Sequence, residues 1–401
     1  MVLYTLPGSY FLPLLLGSLA IASVYSLHRF IRLRTTRRML IHQNACKPPR
    51  KYPQKAFLLG LDTLRDAVLA LRSKTFLIRL RRLYNENGNT FSMHSLGSTT
   101  VYTIEAENLK YVLSANPKEF GITRTRKDAF GPFLGHNILA AEGAEWVKAR
   151  AFLRPSFARK QISDVARFDV HVKNLIGALP HDDGLTVDLK ALFLCLTADI
   201  TTDLMFGESI NSLRSESFPG FMEAFQDAQF GCEDRARWGK LANFIPQPLF
   251  YKSVRLIHEY MDGHVEKGLQ YSLSPGVAEK EVETDGRYVL LKELGKVISD
   301  RKLLRDELLT IFFAGRDTTA SLLCSTFFTL ARRPDIWQKL RSEVAQLAGA
   351  KPTFTQLNQM SYTKNVLNES KPWIFFPSLK SRSDSPAASF DYERYLQVNQ
   401  H

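Results

Sequence analysis

The chain is short of cysteine. Cys46, Cys195, Cys232 and Cys324 are all it has in 401 residues, and no two lie close together. That excludes a disulfide scaffold and a CxxC zinc module. Cysteine ends at Cys324, and no histidine stands between His264 and the terminal His401. No internal repeat occurs, so a solenoid is excluded. No zinc-finger, RRM or basic-zipper pattern points to nucleic acid. Long apolar runs are scarce too. What the chain does have is 45% hydrophobic and 23% charged residues, which excludes a wholly disordered or collagen-like polymer. A single core stops growing near roughly 250–300 residues, so two lobes or one large fold are expected.

Lys and Arg number 53 against 40 Asp and Glu, a net charge of +13. Such an excess suits nucleic acid, an anionic membrane surface or an acidic partner protein. Its placement separates these. Tyr10 to Leu27 is free of charge, and Arg29, Arg32, Arg34, Arg37 and Arg38 follow at once. An apolar run of about this length is just enough to span a bilayer, and basic residues behind it hold that flank in the cytosol. A cleaved signal peptide would carry its charges ahead of the run. The pattern therefore predicts one N-terminal transmembrane helix with its basic flank over 1–40, a lipid bilayer as partner, and no nucleic acid. Prolines in 41–56 predict a stiff, extended linker.

Beyond the linker the apolar spacing is mostly helical. Leu61, Leu64, Val68 and Leu71 place a helix within 58–86. Strands over 90–96 and 99–104 flank Gly97-Ser98, which predicts a hairpin. A short helix follows over 107–113, ending before Asn116-Pro117. Further helices are expected over 145–180, 186–208, 250–270 and 300–330, with another starting at Pro334. Ser274 to Arg287 reads as a surface loop. The fold class is mainly α with a small N-terminal β-sheet.

The helix over 300–330 carries the unusual residues. Its segment Leu308–Cys324 is apolar nearly all round, which means burial in protein or membrane. Arg316 and Asp317 at its middle favour burial in protein, because each would cost about 2.5–3.5 kcal/mol in a bilayer. Gly315 lets something flat approach the backbone. A buried Asp317 must find a partner or become neutral. A threonine hydroxyl here can bond back to the carbonyl one turn earlier. Together they make either a polar notch in an apolar wall or a satisfied Asp–Thr pair at a helix crossing.

Ala314-Gly315-Arg316-Asp317-Thr318-Thr319 resembles the A-G-x-D-T-T motif of the cytochrome P-450 haem-thiolate monooxygenases. Trp146 and Arg150, followed by Pro155-Ser-Phe157, resemble that family's W-x-x-x-R helix and P-x-F. The similarity runs to about Glu369. Residues 134–158 and 308–347 look most like the fungal alkane and fatty-acid hydroxylases. The resemblance implies a P-450-like fold over 57–369 and haem b as cofactor. It implies that Trp146 and Arg150 bind a haem propionate and that Ala314 and Gly315 lie over the distal haem face. Asp317 and Thr318 would be catalytic, handling protons and the bound oxygen. Phe312 and Phe313 would line the substrate channel, although core packing explains each alone. A membrane-bound NADPH-dependent flavoprotein reductase and a lipophilic small-molecule substrate are the implied partners. The location implied is the endoplasmic reticulum membrane, single-pass, with the main domain cytosolic.

The pattern departs from the family after Glu369. Asn365-Val-Leu-Asn-Glu369-Ser370 begins the family's E-x-x-R helix, but Lys371-Pro372 follows. The arginine is missing, and the proline is expected to break the helix. No cysteine remains to ligate iron, so no metal ligand is assigned. Cys324 reads as a small buried hydrophobe. Residues 370–401, with Pro372, Pro377 and Pro386 among many serines, read as a divergent disordered tail. The expectation is an incomplete, C-terminally truncated haem monooxygenase, or else a catalytically inactive membrane-anchored remnant.

Overall fold

In the computed structural model, which describes residues 11–43, 48–54, 60–73, 75–95, 98–157, 164–180, 185–214, 220–273 and 289–375, the chain divides into two units, Met1–Leu109 and Lys110–His401.

In the first unit α1 spans Phe11–Gln43. The spanning segment expected from Tyr10 to Leu27 is not found as such; Tyr10 itself lies outside the described residues. The helix does not stop at Leu27 but runs on through all five arginines. Among the described residues no helix is long and apolar enough to cross a membrane.

The described part of the expected linker contributes a strand. β1, Arg50–Lys51, pairs in parallel with β2, Thr90–Ser95, and Tyr52 N donates to Ser92 O at 2.8 Å. β2 forms the predicted hairpin with β3, Ser98–Thr103, in the register Thr90↔Thr103 to Ser95↔Ser98. Period-two alternation sends Phe91 and Met93 to one buried face, where they meet Leu83. Tyr102 stacks on Phe91 with centroids 5.3 Å apart. Leu83 belongs to the second of two helices, α2 (Leu61–Arg72) and α3 (Phe76–Asn87), where the periodicity predicted one. Ser73 and Thr75 explain the break. Their backbone N–H groups bond back to Leu69 and Ala70, and their hydroxyls bond each other at 2.7 Å. That local competition ends α2.

α4, Ala106–Lys110, leads into the second unit. There follow α5 (Arg124–Leu134), α6 (Gly143–Leu153), α7 (Val165–Gly177), α8 (Leu189–Phe206), α9 (Phe221–Trp238), α10 (Pro248–Leu273), α11 (Leu290–Gly295), α12 (Arg301–Leu330), α13 (Pro334–Ala345), α14 (Phe354–Gln359) and α15 (Ser361–Phe375). Among the described residues the predicted helix over 145–180 is two, because Pro155 follows α6 and the chain turns through a 3₁₀ segment, Arg154–Phe157. The loop predicted for 274–287 and the tail from 376 on lie outside the described residues. The break expected at Pro372 does not occur: α15 continues to Phe375. Proline there removes only the bond to the Asn368 carbonyl, three residues before the helix ends.

α12 is the axle of this unit and packs against α8, α10 and α15. Asp300 starts it, its carboxylate accepting from Leu303 N at 2.9 Å, which satisfies one of the four free N–H groups at a helix start. The core around its first half is aromatic. Phe312 is fully buried between Phe225 (4.8 Å) and Phe221 (5.5 Å), both edge-to-face. Phe133 of α5 meets Phe225 at 5.4 Å.

Two polar devices fix the neighbours of α12. After α5 the chain turns at Gly135, whose φ of +65° lies in the left-handed region. The Asp306 carboxylate occupies the space a Cβ would need there and accepts from His136 N at 3.0 Å. The Glu307 carboxylate accepts from Ile138 N at 3.4 Å. The second device joins α7 to α8. Asp203 accepts from Arg167 Nε at 2.8 Å and pairs with His171 Nε2 at 3.1 Å. Burial alone would raise this carboxyl, but the bonds from His171 and Arg167 hold it down at about 2.

Candidate functional site

A cavity of about 1000 Å³ lies within the second unit. One wall is the middle of α12, with Thr310, Ile311, Ala314 and Gly315. The turn after α5 supplies Ile138 and Leu139, and α8 supplies Thr201, Leu204 and Met205. α6 and the 3₁₀ segment after it supply Arg150, Leu153, Arg154, Pro155, Ser156 and Phe157. Most of these groups are apolar, and two guanidinium groups stand among them. Apolar walls with a few placed polar groups are the ordinary make-up of a ligand site.

α12 stays regular while carrying hydroxyls. Thr318 Oγ1 donates to Ala314 O at 2.7 Å, and Thr310 Oγ1 donates to Asp306 O at 2.8 Å. The back-bond expected of a threonine here is therefore present. Gly315 does two things. It lines the cavity, and it lets α8 come close: a Cβ at Gly315 would stand 3.1 Å from Thr201 Oγ1. The open face expected at this glycine is thus shared with a helix crossing.

Asp317 has its partners. Its Oδ1 accepts from Arg316 Nη1 at 2.8 Å, and its Oδ2 accepts from Gln229 Nε2 of α9. The side chain is 34% exposed, so solvent also reaches it. Arg316 is buried, 5.1 Å over the Phe225 ring, with Nε lacking a partner. Burial pulls this guanidinium's pKa down, and the Asp317 charge works against that.

Trp146 and Arg150 share one face of α6, four residues apart. The Arg150 guanidinium lies 5.2 Å over the Trp146 ring, and Trp146 is 38% exposed.

The structure thus brings Arg150, Ala314 and Gly315 to the cavity and sets Trp146 behind Arg150. Asp317 and Thr318 lie further along α12 and are not among the residues lining it. Phe312 packs in the core, and Phe313 meets Phe130 (6.1 Å) and Phe133 (6.4 Å). Thr201, Leu204 and Met205 were not singled out from sequence. A signal existed in α8, where Thr197, Thr201 and Thr202 stand among apolar residues and two aspartates. Their hydroxyls all bond back along α8.

Do these residues suit a haem? The observed features match one face of it. The apolar walls could hold a macrocycle, the small Ala314 and Gly315 could lie beneath it, and Arg150 and Arg154 could meet its carboxylates. The ligand for iron is a different matter. Among the described residues no cysteine or histidine lines the cavity. Burial pushes the Cys195 and Cys324 thiols up, and Cys232 up to about 12. Among the described residues no three His, Cys, Asp or Glu side chains gather as a metal site.

The family model for cytochrome P-450 matches residues 67–370. The cytochrome P-450 monooxygenase fsdH of Fusarium heterosporum is 35% identical over 377 residues, covering 91% of this chain and 66% of that protein. The cytochrome P-450 monooxygenase himC of Aspergillus japonicus is 35% identical, covering 81% and 59%. Cytochrome P-450 52A12 of Debaryomyces hansenii is 36% identical, covering 70% and 57%. The chain spans about six tenths of the length of these relatives. With the family model covering most of the chain, and with Arg150 of α6 and Ala314 and Gly315 of α12 lining one cavity, the chain belongs to the cytochrome P-450 family, whose cofactor is haem.

Proposed function

We propose that this cavity takes haem b and a lipophilic substrate, and that the chain serves a monooxygenase that inserts one atom of dioxygen into a C–H bond. The observation that carries the reading is the cavity itself: mostly apolar, and lined by Ala314, Gly315 and Arg150 together. When bound, haem supplies the activation of dioxygen. Arg150 would leave the Trp146 ring and fork onto a propionate carboxylate, a geometry guanidinium suits. Thr318 has spent its proton on the Ala314 carbonyl, so its oxygen is left to accept from a water. Asp317 is steadied by Arg316 and Gln229, yet open to solvent. It would pass protons inward through its carboxylate oxygens. An alkane- or fatty-acid-like substrate follows from the resemblance over 134–158 and 308–347. A membrane-bound NADPH-dependent flavoprotein reductase would supply electrons, and the net charge of +13 favours an acidic partner by steering. Attachment to the endoplasmic reticulum membrane through α1 and its arginines belongs to the same proposal.

One observation favours a second reading. With no cysteine at the cavity and the described thiols held protonated, nothing described here supplies the thiolate that drives O–O cleavage. The chain would then be a catalytically inactive relative. A reduced, CO-difference spectrum of the purified chain after haem addition decides. A thiolate-type Soret band supports the monooxygenase. Failure to take up haem supports the inactive chain.

A further inference from the structure

A second cavity, of about 360 Å³, lies on the other side of the turn after α5, between α6 and the start of α12. Its size falls within the range of small-molecule sites. Ala141, Ala149, Phe152 and Leu303 give it an apolar body. Glu307 lines it from α12 and is fully buried. The Glu307 Oε2 accepts from Ile138 N, while Oε1 has no hydrogen-bond partner. Buried carboxylates without a partner are costly and rare. The nearby Asp306 has its own cation in Arg305, at 3.1 Å. Glu307 has none.

We propose that this second cavity binds a compact organic monocation, an amidinium or primary ammonium on an apolar body, with Glu307 as its counter-charge. An amidinium donates two N–H bonds and supplies the positive charge that Glu307 lacks. The ring or alkyl body sits against the alanines, Leu303 and Phe152, whose ring has the Lys148 ammonium 5.7 Å over it. Glu145 and Lys148 of α6 are both exposed and balance one another at the cavity, so the net charge it presents is that of Glu307.

The site is independent of haem and is tested without it. Benzamidinium chloride is titrated into the full chain by calorimetry at pH 8, with benzamide as the neutral isostere. Benzamidinium should bind at least tenfold more tightly than benzamide. Glu307→Gln keeps the acceptor for Ile138 N and should erase that preference. Leu204→Phe, which crowds the haem cavity, should leave it intact. Affinity should be about tenfold weaker at pH 6 than at pH 8. Burial, seconded by the Asp306 charge, pushes the Glu307 carboxyl up to about 7, and a protonated acid does not attract a cation. The other charges around it are Arg305 and Asp306 on α12, His136 in the turn, Glu145 and Lys148 on α6, and His258 and Asp262 of α10 on the Arg305–Asp306 side. Equal binding of benzamidinium and benzamide by the unaltered chain overturns the proposal. So does a preference lost in Leu204→Phe but kept in Glu307→Gln. A failed CO spectrum would leave both outcomes readable.

Discussion

At Gly315 the space for a side chain is set by Thr201 rather than by the cavity alone. Gly315→Val should cost about 1–3 kcal/mol through overpacking. The added Thr201→Ala change should return part of that loss, because it removes the atoms the new side chain would strike. Denaturant unfolding of the two single variants and the double variant measures the coupling. Additive losses would show that the glycine serves only the cavity. This residue also marks the limit of what sequence reveals. The motif around Gly315 is contiguous, so its glycine, aspartate and threonine were legible. The partner that makes the glycine necessary sits on α8, more than a hundred residues away, and no spacing rule joins the two. Gln229, which bonds Asp317 from α9, was hidden for the same reason. Glu307 was hidden because a glutamate in a helix ordinarily faces solvent, and only the packed turn at Ile138 buries it.

Among the elements, α7 and α8 depend on one carboxylate. Asp203 is held at about 2 in the folded chain, well below the usual carboxylate range. The group is depressed on folding, so its contribution is present above about pH 4 and is lost as pH falls through about 2. That depression corresponds to about 2 kcal/mol. Asp203→Asn should lose this at neutral pH and should show a flatter decline in stability between pH 4 and 2. Thermal melts across that range check it, and parallel acid profiles for both proteins would refute the latch. The helices expected over 186–208, 250–270 and 300–330 are present, with Asp188, Gly207 and Asp300 as caps. α5, α9 and α14 were not anticipated. Other failures came from local rivals of the helix. Ser73 and Thr75 split the predicted helix over 58–86, and Pro155 split the one over 145–180. Pro372 erred the other way, because a proline in a last turn removes little.

For the molecule as a whole, charge is distributed very unevenly. Five of its basic residues, Arg29, Arg32, Arg34, Arg37 and Arg38, lie exposed along α1 beside exposed apolar groups such as Val24, Leu27 and Phe30. Replacing the five with glutamine lowers the net charge from +13 to +8. Near an anionic lipid surface each such residue contributes about 1 kcal/mol. Sedimentation with phosphatidylserine-containing vesicles should therefore show a large loss of binding in the variant, and salt should weaken the unaltered chain most. Equal sedimentation of both would place the attraction elsewhere. The broad outline, helices with one small sheet, was legible because periodicity is a property of short windows. Of the cavity, Arg150, Ala314 and Gly315 were reached through their motifs, while the α8 wall was not, since it arises only where the helices meet.

The turn at Gly135 makes one unit of two positions far apart in the chain. A side chain at 135 would strike the carboxylate at 306, and a residue at 306 without an acceptor would strand the His136 amide. Tolerance to substitution at either position is therefore conditional on what stands at the other.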